Sequence, residues 1–301
     1  MAKRSIMHMI NPMMHNSPFD INMAVDAGYD VVIPYDNIKL EEVSGLTQDA
    51  IFSRGPAGVK KTGLFIGGRD IGLAMDMLDA AKKAMVPPFE MSVFADPSGA
   101  FTTAAALVAC IERELKKNFN QDLTGTRAVV FGGTGPVGLA TAVIAAQQGA
   151  DTTIVDHFSI DTALDFATEA KQRYGVELRA TAAASDADKA RLISNADIVF
   201  CTAKAGIQVL NSSVLEDAKQ LKVVGDVNAV APLGVEGVGL MDSGEPLVHA
   251  TNSPGAVAVG ALAVGNVKYQ LQHTLLEETL AAEKPVFLDF RNAFDGARKL
   301  V

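Results

Sequence analysis

Apolar residues in this chain collect into short runs, separated by longer stretches in which they recur at helical spacing. Ser5–Ile10 (SIMHMI) predicts a first strand. A helix follows to about Gly28, with Ser17 at the N-cap, Pro18 at the first helical position and Asp20 at the capping-box position. Asp30–Pro34, Thr62–Ile66 and Met91–Ala95 predict the next strands. Asp70 can cap the helix IGLAMDMLDAAKKAM. The turn Asp96-Pro97-Ser98-Gly99 leads into another helix, from Phe101 to about Lys117. Strands alternating with helices imply a parallel or mostly parallel sheet.

The polar segment Lys116–Gly125 (KKNFNQDLTG) reads as a domain junction. Beyond it, Arg127–Asp156 holds an apolar run, a glycine turn, a small-residue helix, a second β-rich run and an acid. Helices near Thr162–Tyr174 and Asp186–Ser194 follow, with strands at Val176–Ala180, Ala196–Ala203 and Leu221–Asn228, and a short one at Leu247–Ala250. The small-residue stretch Gly255–Lys268 leads into the helix VKYQLQHTLLEETLAA, and Val286–Phe290 is a last apolar run. The expected fold class is α/β in two domains: an N-terminal α/β domain over residues 1–124 and a doubly wound Rossmann-type domain over 125–267. Residues 268–301 are expected to pack back on the first domain.

Gly133, Gly135 and Gly138 give the G-x-G-x-x-G spacing, and Asp156 lies eighteen residues past Gly138. In that context Gly133 permits the tight turn, Gly135 lets backbone approach a pyrophosphate, and Gly138 allows close helix packing. Thr134, Pro136 and Val137 complete the turn, and a helix starting there presents N–H groups and a positive dipole end to phosphate. Asp156 and His157 end the second strand, where an acid bonds ribose hydroxyls. Ala203, Lys204 and Ala205 follow one later strand, and Asp226 and Asn228 end the next. Ligands bind beyond the carboxyl ends of strands in such sheets, so these are further cofactor candidates. Ordinary turn chemistry explains them equally well.

The 301 residues suffice for two domains, and 49% hydrophobic with 20% charged residues suits a well-buried core. A net charge of −9 and the lack of any basic stripe with interleaved aromatics argue against nucleic acid. No apolar stretch is long and uncharged enough to span a bilayer, and the N-terminus lacks a signal-peptide core. Cys110 and Cys201 read as buried free thiols, which suits the cytoplasm. No metal site is expected.

The segments SPFDINMAVDAGYD, FIGG, FADPSG, FTTAAA, FGGTGPVG, DVNAV and GALAVGNVKYQ together resemble bacterial methylene-tetrahydromethanopterin dehydrogenases, from the first strand to the final VFLDFR. The resemblance implies hydride transfer from methylene-tetrahydromethanopterin to NAD(P)+ in one-carbon (formaldehyde) oxidation, with the N-terminal domain holding the pterin. It implies that Phe19 packs on the pterin, that Thr102 and Thr103 face the substrate, and that Lys268 orients it. Gln272 stands where some relatives carry histidine, one turn after Lys268 on the same helix face. Since Asp156 should repel a 2′-phosphate, NAD is expected as the preferred cofactor, with NADP possible. The resemblance also implies a homo-oligomer, a trimer or a multiple of one. Rival readings are a methylene-tetrahydrofolate dehydrogenase and a non-catalytic nicotinamide-binding regulator.

Overall fold

The structure is a computed structural model that describes residues 3–301. Two compact units emerge, one from residues up to Thr102 with Tyr269–Gly296, the other from Thr103–Lys268 with Ala297–Lys299. The changes from one unit to the other fall inside two long helices, α5 (Ala100–Phe119) and α10 (Ala261–Ala281). The polar segment after Lys116 ends α5 and turns into the next strand.

The first unit is a parallel five-stranded sheet ordered β12-β4-β3-β1-β2, where β1 is Ile6–Ile10, β2 Val31–Tyr35, β3 Thr62–Ile66, β4 Ser92–Ala95 and β12 Phe287–Leu288. All residues of β3 and β4 are buried, as expected of strands covered on both faces. Phe65 and Phe94 meet edge to face across them at 5.5 Å. β2 lies at the edge, which is why it tolerates Pro34. Helix α1 spans Pro18–Asp26 and α4 Ile71–Ala84, and Asp70 caps α4 by accepting from the Leu73 N–H at 2.9 Å. Ser17 occupies the N-cap of α1 without a side-chain cap bond, and the Asp20 carboxylate is used elsewhere. The hydrophobic pattern did not announce α2 (Leu40–Phe52), α3 (Gly55–Val59) or α11 (Phe290–Ala297).

The second unit is a seven-stranded sheet ordered β10-β11-β9-β8-β5-β6-β7. Its strands are β5 (Arg127–Phe131), β6 (Asp151–Asp156), β7 (Arg179–Ala182), β8 (Ile198–Cys201), β9 (Val223–Asp226), β10 (Ser243–Pro246) and β11 (Val257–Val259). Only β10 runs antiparallel. Leaving out β10, the order from the β7 edge is third-second-first-fourth-fifth-sixth in chain sequence, the doubly wound dinucleotide-binding order. Helices α6 (Pro136–Gln147), α7 (Ile160–Tyr174), α8 (Asp186–Ile193) and α9 (Ser212–Glu216) accompany these strands. Three expectations shift here. The strand expected at Val176–Ala180 is β7, three residues later at its start. The short strand is Ser243–Pro246 rather than Leu247–Ala250, because residues 247–250 form a turn closed by the Ala250 N–H to the Leu247 carbonyl. Gly255–Lys268 splits into β11 and the start of α10, which begins at Ala261.

Candidate functional site

In the second unit, the strand order reverses between β5 and β8, the position at which open α/β sheets bind ligands. The glycine turn follows β5 there. The left-handed residue is Gly132 (φ 72°), not Gly133, so the tight turn falls one residue earlier than the spacing suggested. A Cβ on Gly132 would stand 2.8 Å from the backbone of Ala203 and Thr202, the loop that leaves β8. On Gly133 it would meet Ile154 at 2.7 Å, and on Gly138 the Gly132 carbonyl oxygen at 2.1 Å. Gly135 differs. Its φ is −79°, and an added Cβ would touch only the Gly132 oxygen, at 3.3 Å. Packing inside the protein therefore demands three of these glycines. The fourth caps α6, with Pro136 and Val137 behind it, and keeps the first-turn N–H groups of that helix clear.

Beside the turn lies a cavity of about 430 Å³, lined by Gly132, Thr134, Asp156, His157, Ala203 and Lys204 together with an apolar floor that includes Val155, Ala183 and Val209. Asp156 ends β6. One of its oxygens accepts from Thr134 Oγ1 at 2.8 Å, the other from the N–H groups of Phe158 and Ser159 at 2.8 and 2.9 Å. Burial works to raise its pKa. The hydrogen bonds from Ser159, Phe158 and Thr134 outweigh it, so the carboxyl sits below its ordinary value and stays ionised. A carboxylate offers about four lone-pair positions, so these three bonds leave room for one more donor such as a ribose hydroxyl. Phe158 is 87% exposed at the rim, with His157 packed on its edge at 4.3 Å. The glycine cradle, the helix start, the acid and the apolar floor fit an adenine dinucleotide.

Other candidates from the sequence are used inside the protein. Asp226 is 1% exposed and accepts from the N–H groups of Asn228 and Val235, at 2.9 and 3.0 Å. Burial raises its pKa, and the Cys201 thiol, itself pushed well above its usual value by burial, donates to it. Asn228 accepts from the Gly206 and Val230 N–H groups and donates to the Pro232 carbonyl, tying the loops after β8 and β9 together. These two residues shape the loops behind the cavity and do not line it, and Ala205, exposed, does not line it either.

The first unit has its own reversal point. Its order, counted from β2, is second-first-third-fourth-fifth, so the crevice falls between β1 and β3. Asn11 leaves β1 and accepts from the Met13 N–H at 3.1 Å, and a Cβ on Gly67, which leaves β3, would stand 3.7 Å from it. Ser98, after β4, holds a left-handed conformation (φ 53°) and donates its hydroxyl to the Gly68 carbonyl at 2.7 Å. Asp96 accepts from the Phe101 and Thr102 N–H groups and from Thr102 Oγ1 at 2.6 Å, capping the start of α5. Thr102 is thus fully buried with its hydroxyl on Asp96, and Thr103 is half-buried. Strained non-glycine backbone of the Ser98 kind is held by its surroundings and concentrates at functional sites.

Phe19, in the first turn of α1, is 45% exposed and meets the 47% exposed Tyr269 of α10 edge to face at 6.5 Å. Lys268 precedes Tyr269 in α10 and is half-buried. Gln272 does not reach solvent. It is wholly buried and donates to the Asp20 carboxylate at 2.7 Å, fastening the first turn of α1 to α10. Tyr269 escaped the sequence reading because nothing in its spacing separates it from a surface tyrosine. Its pairing with Phe19 over a separation of 250 residues exists only in the fold.

Comparison with known proteins agrees with this layout. Residues 18–98, from α1 to the loop after β4, match the family model described as methylene-tetrahydromethanopterin dehydrogenase, N-terminal. Among solved structures, shikimate 5-dehydrogenase from Listeria monocytogenes has a TM-score of 0.54 at 13% identity, covering 97% of this chain and 96% of that one. The 5-ketofructose reductase of Gluconobacter gives 0.51 at 15%, covering 99% of both. These two share the fold. Among curated proteins, the bifunctional protein MdtA of Methylorubrum extorquens is 30% identical over 90% of both chains. The NAD(P)-dependent methylenetetrahydromethanopterin dehydrogenase of the same organism is 46% identical over 97% of both. The chain belongs to the methylene-tetrahydromethanopterin dehydrogenase family.

Proposed function

We propose that this protein catalyses hydride transfer from methylene-tetrahydromethanopterin to NAD(P)+, as a step in one-carbon oxidation. The 46% identity along 97% of a relative named for that reaction carries the reading. The glycine cradle at the reversal point of the second unit and the exposed Phe19–Tyr269 pair of the first support it.

When bound, the nicotinamide supplies the hydride acceptor. The protein's residues bind and orient. The oxidised carbon loses only a hydride, and its positive charge spreads over two pterin nitrogens, so no general base is required. Rate enhancement then rests on holding the reactants at close range, which is worth up to about 7–11 kcal/mol. Phe19 gives an aromatic face to the pterin, and Gln272 acts through Asp20 by fixing the turn that carries Phe19. Thr103, half-buried, follows Thr102 at the end of α5 that Asp96 anchors. Lys268 donates to a pterin carbonyl or ring acceptor. A like charge about 4 Å from the developing cation would cost about 4 kcal/mol near a protein surface, so its ammonium lies to one side of the reacting carbon. Asp156 favours NAD over NADP.

Mixing the protein with methylene-tetrahydromethanopterin and NAD+ or NADP+, and following nicotinamide reduction, tests this directly. Reduction only with methylene-tetrahydrofolate would move the reading to the folate carrier. Dinucleotide binding without reduction on either carrier would leave a regulator. The functional unit is a homo-oligomer, a trimer or a multiple of it, which light scattering would measure. Two free, buried cysteines among the described residues favour the reducing cytoplasm. No helix among the described residues is long and apolar enough to cross a membrane.

A further inference from the structure

Asp156 gives the adenosine cavity a negative wall, yet the same cavity carries a cation that sequence position alone does not connect to it. Lys204 lies on the loop after β8, while Asp156 and His157 end β6, and all three line one cavity with Thr134. The loop is held there by the glycine turn, since Gly132 packs directly on the Ala203 backbone beside Lys204. The other lysine on this wall, Lys189, is committed. It is 9% exposed and paired with Asp186 at 3.0 Å, and Asp186 is bonded in turn to Asn211 at 2.8 Å. Lys204 is exposed and forms no hydrogen bond or ion pair among the described residues. Asp156, meanwhile, already accepts from Thr134, Phe158 and Ser159, which disperses its charge.

We infer that Lys204 is the residue that admits a 2′-phosphate on the adenosine ribose, so that the cavity accepts NADP as well as NAD despite Asp156. This rests on the dinucleotide reading of the cavity. A phosphate placed between the two would meet one ammonium and one carboxylate. The ammonium can swing to it on a flexible stem, whereas the carboxylate is fixed by its three donors. The dinucleotide-binding pattern looks for its 2′-phosphate partner near the end of the second strand, where this chain has Asp156-His157-Phe158-Ser159. Here the cation comes from across the reversal point.

The test uses fragments, and needs no turnover. Titration calorimetry of the whole protein with adenosine 2′,5′-bisphosphate and with AMP gives the ratio of the two affinities. Lys204→Ala should lower that ratio about ten-fold, the size of one charge-assisted hydrogen bond to phosphate, about 1.4 kcal/mol. Lys204→Arg should restore most of it, and added salt should compress the wild-type ratio more than that of Lys204→Ala. An unmoved ratio in Lys204→Ala, with AMP still binding, would overturn the role of Lys204 and leave the dinucleotide reading standing. Binding of neither fragment by the wild type would overturn both.

Discussion

The glycine turn makes a prediction in which two neighbouring glycines respond in opposite ways. Gly132→Ala places a Cβ in a left-handed backbone, which costs about 1–2 kcal/mol for an L side chain. That Cβ starts 2.8 Å from the Ala203 N and Cα and the Thr202 carbonyl carbon, so backbone must retreat by about 0.6 Å to reach ordinary contact. Overpacking of this kind costs about 1–3 kcal/mol. The stiffer unfolded chain gives back about 0.4–1 kcal/mol. The net loss is about 1–4.6 kcal/mol, a sizeable part of the roughly 5–15 kcal/mol that holds a domain folded. At about 2–4 °C per kcal/mol, the unfolding midpoint of the second unit falls by roughly 2–18 °C. Gly135→Ala meets neither obstacle, having φ −79° and a single 3.3 Å contact. Its stability should stay within about 1 kcal/mol of the wild type. Its affinity for ADP-ribose should fall about ten-fold or more, because the new methyl stands where backbone approaches the pyrophosphate. Scanning calorimetry and titration calorimetry on the two variants separate the effects. Equal destabilisation by both, or wild-type ADP-ribose affinity in Gly135→Ala, would refute the reasoning.

Three further perturbations follow from the same geometry. Lys268→Met should cut turnover about ten- to a hundred-fold, the loss of one orienting charged contact of about 1.5–3 kcal/mol at about 1.4 kcal/mol per factor of ten, while ADP-ribose binding persists; near-normal turnover would remove Lys268 from the site. Gln272→Leu withdraws a buried donor from Asp20 and should cost about 1–3 kcal/mol in thermal unfolding together with a raised KM for the pterin; a change in neither would show that the Asp20 bond positions nothing. Burial holds Cys201 well above the usual thiol range and pushes Cys110 up to about 11, so neither should react with iodoacetamide in the native protein at neutral pH. Rapid alkylation of either, read by mass spectrometry, would contradict their burial.

Asp156 adds a pH dependence. Its folded pKa is depressed, so its contribution to stability is present above the unfolded value of about 4 and is lost as pH falls through the lower folded value. Asp156→Asn should therefore flatten the acid limb of the stability profile below about pH 4, measured by chemical unfolding at stepped pH, and an unchanged limb would show that the three donors do not act on a charge.

The elements around both reversal points could be read directly. TGLFI and IVFC are short, largely apolar runs, as expected of strands covered on both faces. Asp70 before its helix is a local cap whose bond forms within a turn. Helix α2, with a mixed pattern, was hidden because its apolar positions answer to distant neighbours, whereas β11 was hidden in a continuous small-residue apolar run that carries on into α10. The glycine motif was legible as a motif but misplaced by one residue in its geometry. Nothing in the sequence says that β8 approaches Gly132, so nothing in it says that Gly132 carries the turn.

The site residues divide in the same way. The sequence by itself determined that a strand, a glycine turn, a helix and an acid stand together, because those four are joined by about thirty residues of chain and by local hydrogen bonds. Only the tertiary structure decided which chemistry each side chain is free to do. Asp226, Asn228, Thr102 and Gln272 look available in the sequence, yet folding engages them with Val235, Gly206, Asp96 and Asp20. Lys204 and Asp156 are 48 residues apart in the chain and line one cavity. Burial and hydrogen-bond satisfaction are properties of the packed molecule, and they, more than residue type, set which polar groups remain to meet a ligand.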